Sequence, residues 1–121
     1  MVAMAALLCL ASPSLADDAF AACLKTVGPE DTRCGEEWIK REETRLDSAW
    51  KHLMEVAEGD IAKQLTAEQD AWAAFRDLSC KFKLDEGFGG ASGPNGYHAC
   101  RAEAISDRAS AIEAYTKYID N

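Results

Sequence analysis

The chain has 121 residues, 48% of them apolar, and its 13 Lys and Arg against 21 Asp and Glu give a formal net charge of −8. That length holds one small domain and excludes a TIM barrel or a dinucleotide-binding enzyme with a separate substrate domain. The acidity excludes nucleic acid as a partner, because phosphate contacts need clustered Lys and Arg, and it favours a basic partner instead.

Residues 2–11, VAMAALLCLA, form an apolar run that Pro13 breaks. Ser14 and Ala16 put small residues at the −3 and −1 positions before Asp17, the pattern of a signal-peptidase site. The run is too short for a stable membrane span. Residues 1–16 are therefore expected to be a signal peptide, and residues 17–121 a mature domain in the periplasm or outside the cell.

Asp17 to Val27 reads as a short helix stopped by Gly28-Pro29. Asp31 or Thr32 then caps a second helix running to about Glu58. Ile39, Leu46, Trp50, Leu53 and Ala57 recur along one face of it. Trp38 lies off the centre of this stripe, which predicts partial exposure. Gly59 ends the second helix and Asp60 caps the third, expected to reach about Leu84. Its inward stripe is Leu65, Gln69, Trp72, Arg76 and Cys80, with two polar residues where apolar ones belong. Residues 85–98 contain five glycines and a proline and read as a surface loop. Residues 99–119 form the last helix, with Ala104, Arg108, Ile112, Tyr115 and Ile119 as its stripe. The expected fold is all-α: a small disulfide-tied bundle of three main helices plus a short N-terminal one.

Of the five cysteines, Cys9 falls in the signal segment. The others, Cys23, Cys34, Cys80 and Cys100, read as two disulfides in an exported domain. Three connectivities exist, and the spacing favours Cys23–Cys34 and Cys80–Cys100. No pair has the close spacing of a zinc site or a C-x-x-C redox motif, so neither metal nor cofactor is expected.

Arg76 and Arg108 on inward stripes need acceptors, because an unpaired buried charge is costly. Glu43 and Asp47, beside Leu46 and Trp50, are candidate partners, and Gln69 completes the network. An ion-pair network that fixes helix register is favoured over an anion site. No nucleophile elbow, P-loop or metalloprotease motif is present, and the adjacent carboxylate pairs diverge on a helix surface. The reading is of a protein that is not an enzyme.

The run Leu65-x₃-Gln69-x₂-Trp72-x₃-Arg76-x₃-Cys80, followed by the Gly-rich loop and Cys100-x₇-Arg108-x₃-Ile112, resembles the bacterial exported family of lysozyme-inhibitor LprI-like N-terminal domains. Upstream, Glu43-x₂-Leu46-Asp47-x₂-Trp50-x₂-Leu53 is similar to that family's acidic-x₂-Leu-Asn-x₂-Tyr-x₂-Leu stretch, with Asp47 for Asn and Trp50 for Tyr. Ile112 replaces the common Leu, and Cys34 matches the cysteine that opens this helix in the family. The similarity covers roughly residues 20–113. It implies a helical, disulfide-bonded exported domain, lysozyme inhibition in some members, and structural roles for the matched positions.

Two functions follow. One is a binding module that inhibits a basic lysozyme, with the loop 85–98 projecting from the Cys80–Cys100 tie and Phe88, Tyr97 and His98 as partner-facing candidates. The other is a structural or stress-related periplasmic protein that binds another exported protein or a cell-wall component.

Overall fold

A computed structural model describes residues 15–84 and 93–121. Those residues form four α-helices and one 3₁₀ turn, with no strand among them: α1 (Leu15–Val27), α2 (Arg33–Val56), α3 (Gly59–Ser79), the 3₁₀ turn (Lys81–Leu84) and α4 (Gly93–Asp120). The fold is all-α, as the periodicity predicts. The segment read as a signal peptide falls outside the described residues up to position 14.

Local chemistry accounts for the helix ends. Gly28 takes φ +90, a conformation that suits glycine, and closes α1. At the start of α2, Asp31 Oδ1 accepts the Arg33 amide at 2.9 Å. Asp31 thus does the capping, while the Thr32 hydroxyl donates to Glu36 Oε1 at 3.0 Å. At the α2–α3 corner, the Ala57 amide bonds to the Leu53 carbonyl at 2.9 Å, and Gly59 turns the chain with φ +56.

Two expected boundaries are corrected. α3 stops at Ser79, and Lys81–Leu84 tightens into the 3₁₀ turn. α4 begins at Gly93 rather than residue 99, so residues 93–98 are helical and not loop. Glycine and proline content suggests a break, but Pro94 sits in the first turn, where no amide partner is needed. Asn95 then anchors that turn: its Nδ2 donates to the Pro29 carbonyl at 2.8 Å and the Asp31 carbonyl at 3.0 Å.

The contacts fix the topology. His98 lies against Gly35, and Arg45 reaches Ser106, Ser110 and Glu113. Residue numbers rise together on α2 and α4, so these two helices run parallel. Asp77 meets Arg101 and Glu68 meets Arg108, so α3 runs antiparallel to both. α1 lies back along the start of α2, with Phe20 and Trp38 ring centroids 5.0 Å apart. That contact buries Trp38 to 3% exposure, against the expected partial exposure. The chain is an up-down-up bundle with α1 as a buttress.

The core belongs mainly to α2 and α4: Leu46, Ala49 and Leu53 pack on Ile105, Ala109 and Ile112. Gly35 is required where the helices come closest, since a Cβ there would lie 2.4 Å from that of His98. α3 contributes no fully buried residue; Leu65 and Trp72 are half-buried against the core. The disulfides are Cys23–Cys34 and Cys80–Cys100. Because α2 and α4 are parallel, both disulfides lie at the same end of the bundle. Small domains gain most from such ties, since their cores are limited.

Candidate functional site

The inward polar residues of α3 and α4 meet in one seam centred on Trp72. Arg108 is buried, and its Nε donates to Gln69 Oε1 at 2.8 Å while its Nη1 donates to Glu68 Oε1 at 2.7 Å. Tyr115 donates its hydroxyl proton to the same Glu68 oxygen at 2.8 Å. The Arg108 guanidinium carbon also stands 5.8 Å from the Trp72 ring centroid and 5.9 Å from that of Tyr115. Arg76 lies over Trp72 as well, at 5.1 Å. Both arginines of the expected stripes thus converge on one indole, where the electron-rich faces of aromatic rings attract the cations.

The partners differ from those expected. Glu43 and Asp47 are both exposed on α2, and Arg108 is paired by Glu68 and Gln69 of α3. Arg76 donates to its neighbour Asp77 at 3.1 Å, and Asp77 also accepts from Arg101 Nη1 at 3.2 Å. Glu42, not Glu43, is the buried acid of α2, 3.6 Å from Arg45. Arg45 crosses to α4 with a bidentate pair to Glu113 at 3.0 and 3.1 Å. Of the matched motif residues, Leu46 and Ile112 are core, Trp50 and Leu65 flank it, and Gln69, Trp72, Arg76 and Arg108 build the seam.

Of the partner-facing candidates, Phe88 lies outside the described residues. Tyr97 and His98 are half-buried in the first turns of α4. The Tyr97 hydroxyl accepts from Arg101 at 3.3 Å, and its ring meets His98 edge-on at 5.6 Å. Sequence reading misses Glu68, Asp77, Arg101 and Asn95. Glu68 and Asp77 read as solvated because each is offset by 100° from its stripe, and Asn95 is hidden in a glycine-rich run. The available signal is Glu68-Gln69 four and three residues before Trp72, which widens the inward face enough to admit a carboxylate.

In electrostatic terms the seam is compensated. The hydrogen bond from Arg108 holds the Glu68 carboxyl below the ordinary glutamate value; burial opposes it, and the bond from Tyr115 adds a smaller lowering. Bonds from Arg76 and Arg101 lower Asp77 in the same way. The Glu68 bond raises the Tyr115 phenol. Each seam cation faces a carboxylate, which suits a register-fixing network more than an anion site. Among the described residues, no group of three or more His, Cys, Asp or Glu is placed to hold a metal ion.

A pH dependence follows. The folded state binds the Glu68 proton less readily than the unfolded chain. The contribution of the pair is therefore complete above the ordinary glutamate value of about 4.3 and is lost as pH falls below it through the folded value. Glu68 is 44% exposed, so solvent weakens the effect. Thermal melts should show wild type above Glu68→Gln at pH 7, with the gap closing towards pH 3; a gap independent of pH would remove the Glu68 charge from the account.

The family model for lysozyme inhibitor LprI matches residues 23–112. Comparison with curated proteins and with solved structures found no match. The matched span runs from the first disulfide cysteine of α1 to the buried Ile112 of α4, and it contains both disulfides and the Gln69–Trp72–Arg76–Arg108 seam. The chain belongs to the lysozyme inhibitor LprI family.

Proposed function

We propose that this chain is an exported, non-catalytic binding protein that inhibits a basic lysozyme. The observation that carries the reading is the family match over residues 23–112, and the net charge of −8 supports it. Long-range attraction to a basic enzyme raises the association rate. The fold adds to this attraction at one end. Glu55, Glu58 and Asp60 are exposed around the α2–α3 corner, and Asp120 is exposed at the end of α4. Parallel packing brings the negative dipole ends of α2 and α4 together there as well. Export to the periplasm or beyond, with residues 1–16 removed, puts the domain where a muramidase acts. No helix among the described residues is long and apolar enough to cross a membrane.

Turbidity of a bacterial cell-wall suspension, followed during lysis, provides the test. Purified chain at about micromolar concentration should slow lysis by a basic lysozyme. The inhibition should weaken as salt rises, because the Debye length shrinks from about 10 Å at 0.1 M to about 3 Å at 1 M. Undiminished lysis across several lysozyme types would overturn the reading and favour another exported protein or a cell-wall component as the partner.

A further inference from the structure

Three elements enclose a cleft of about 300 Å³ at the disulfide end of the bundle. Phe20 and Leu24 of α1, Pro29 of the turn that follows and Ala99 of α4 give it an apolar wall. Lys83 of the 3₁₀ turn and Glu103 of α4 add one cation and one carboxylate. Lys83 is half-buried, and among the described residues neither group has an ion-pair partner. The Phe82 ring centroid stands 5.9 Å from the Lys83 ammonium and supplies no full counter-charge. A half-buried ammonium beside apolar side chains carries a desolvation cost that an opposing charge offsets. Apolar walls with a few polar groups, at the lower end of the usual size range of about 300–1,000 Å³, are the make-up of a small-molecule site.

The walls are fixed before any ligand arrives. The Cys23–Cys34 disulfide ties α1 to α2 at the residue next to Leu24. The Cys80–Cys100 disulfide ties the turn that carries Lys83 to α4, and Cys100 itself lines the cleft. The Lys83 amide also donates to the Cys80 carbonyl at 3.1 Å. Asn95 holds the Pro29 wall through its bond to the Pro29 carbonyl at 2.8 Å. Both disulfides thus brace one site, and little ordering cost remains to oppose binding. Gly96, also in the lining, belongs to the first turn of α4, where amides have no acceptor within the helix and the dipole is positive. Lys83 and this helix start favour a ligand anion, and Glu103 favours a ligand cation.

We propose that this cleft binds a small zwitterion, an α-amino acid with an apolar side chain the size of leucine or phenylalanine. Its carboxylate pairs with Lys83, its ammonium pairs with Glu103, and its side chain covers Phe20, Leu24 and Pro29. A purely apolar ligand would leave Lys83 half-buried without a counter-charge. A simple anion would leave the apolar wall in water and would face Glu103 with like charge. The proposal does not rest on lysozyme inhibition, because the cleft lies at the opposite end of the bundle from the exposed Glu55, Glu58 and Asp60.

Amide NMR spectra of the full chain, titrated with L-phenylalanine and with L-leucine, test the site. Saturable shifts should centre on Leu24, Gly96, Ala99 and Glu103, with a Kd below about 1 mM for at least one of the two. Phenylpropanoate, which lacks the ammonium, and phenethylamine, which lacks the carboxylate, should each bind at least about tenfold more weakly than the amino acid. Lys83→Met and Glu103→Gln should each weaken amino-acid binding at least about tenfold. Their helicity by circular dichroism should be unchanged, since neither side chain belongs to the core. Lys83→Arg keeps the charge and should keep most of the affinity. Absence of saturable shifts with both amino acids, shifts centred elsewhere on the bundle, or an affinity indifferent to loss of either charge would each overturn the proposal. So would phenylpropanoate binding as tightly as the amino acid, which would assign the cleft to simple anions.

Discussion

Replacing Cys80 and Cys100 together by alanine is expected to cost about 3 kcal/mol and to free α3 before the rest of the bundle. The disulfide spans a sequence separation of 20 residues, and closing a loop of that size removes substantial entropy from the unfolded chain. The regional effect follows from where the core lies. α2 and α4 share Leu46, Ala49, Leu53, Ile105, Ala109 and Ile112, whereas α3 has no fully buried residue. α3 is held by the disulfide at one end, the half-buried Leu65 and Trp72, the Arg108 seam and the Asp77–Arg101 pair. Without the first, its opening free energy falls most. Hydrogen exchange should show α3 amides losing protection while those of Leu53 and Ile105 keep theirs below the global limit. Equal loss in all helices would show that the bundle opens as one unit. A destabilisation under about 1 kcal/mol would place the anchoring of α3 elsewhere.

Arg108→Ala carries the second large expectation, a loss of about 2–4 kcal/mol. The side chain is buried, bonds to both Glu68 and Gln69, and fills the space between the Trp72 and Tyr115 rings. Truncation removes the ion pair and leaves a cavity between two aromatics. Arg108→Met retains much of the volume and should recover part of the loss. Arg76→Met provides the contrast. Its carboxylate partner is the adjacent Asp77, 54% exposed, so its cost should stay below about 1 kcal/mol. Urea unfolding of the three variants checks the order. Equal losses for Arg76→Met and Arg108→Ala would contradict the seam geometry.

The particular residues show how much of this was legible beforehand. The Leu46–Leu53 spacing and the Gly28 and Gly59 breaks announced α2 and its neighbours. The anomaly of Gln69, Arg76 and Arg108 on inward stripes was visible as well. Their partners were not. Glu43 lies beside Leu46 in the sequence yet is exposed, and Glu68 takes the role. Gly93, Pro94 and Gly96 suggest a loop where α4 in fact begins. Only the distant carbonyls of Pro29 and Asp31, reached by Asn95, secure that turn.

Sequence by itself determined the all-α class, the four helices of the described residues and the favoured disulfide pairing, because helical periodicity, breaking residues and loop closure act over short stretches of chain. Tertiary structure alone decided that α2 and α4 run parallel and that both disulfides therefore share one end. It also decided that Arg76 and Arg108 meet at Trp72. Those outcomes depend on which angular sector of each helix meets which neighbour. A sector is set by packing among all the helices at once, so no single stretch of sequence contains it.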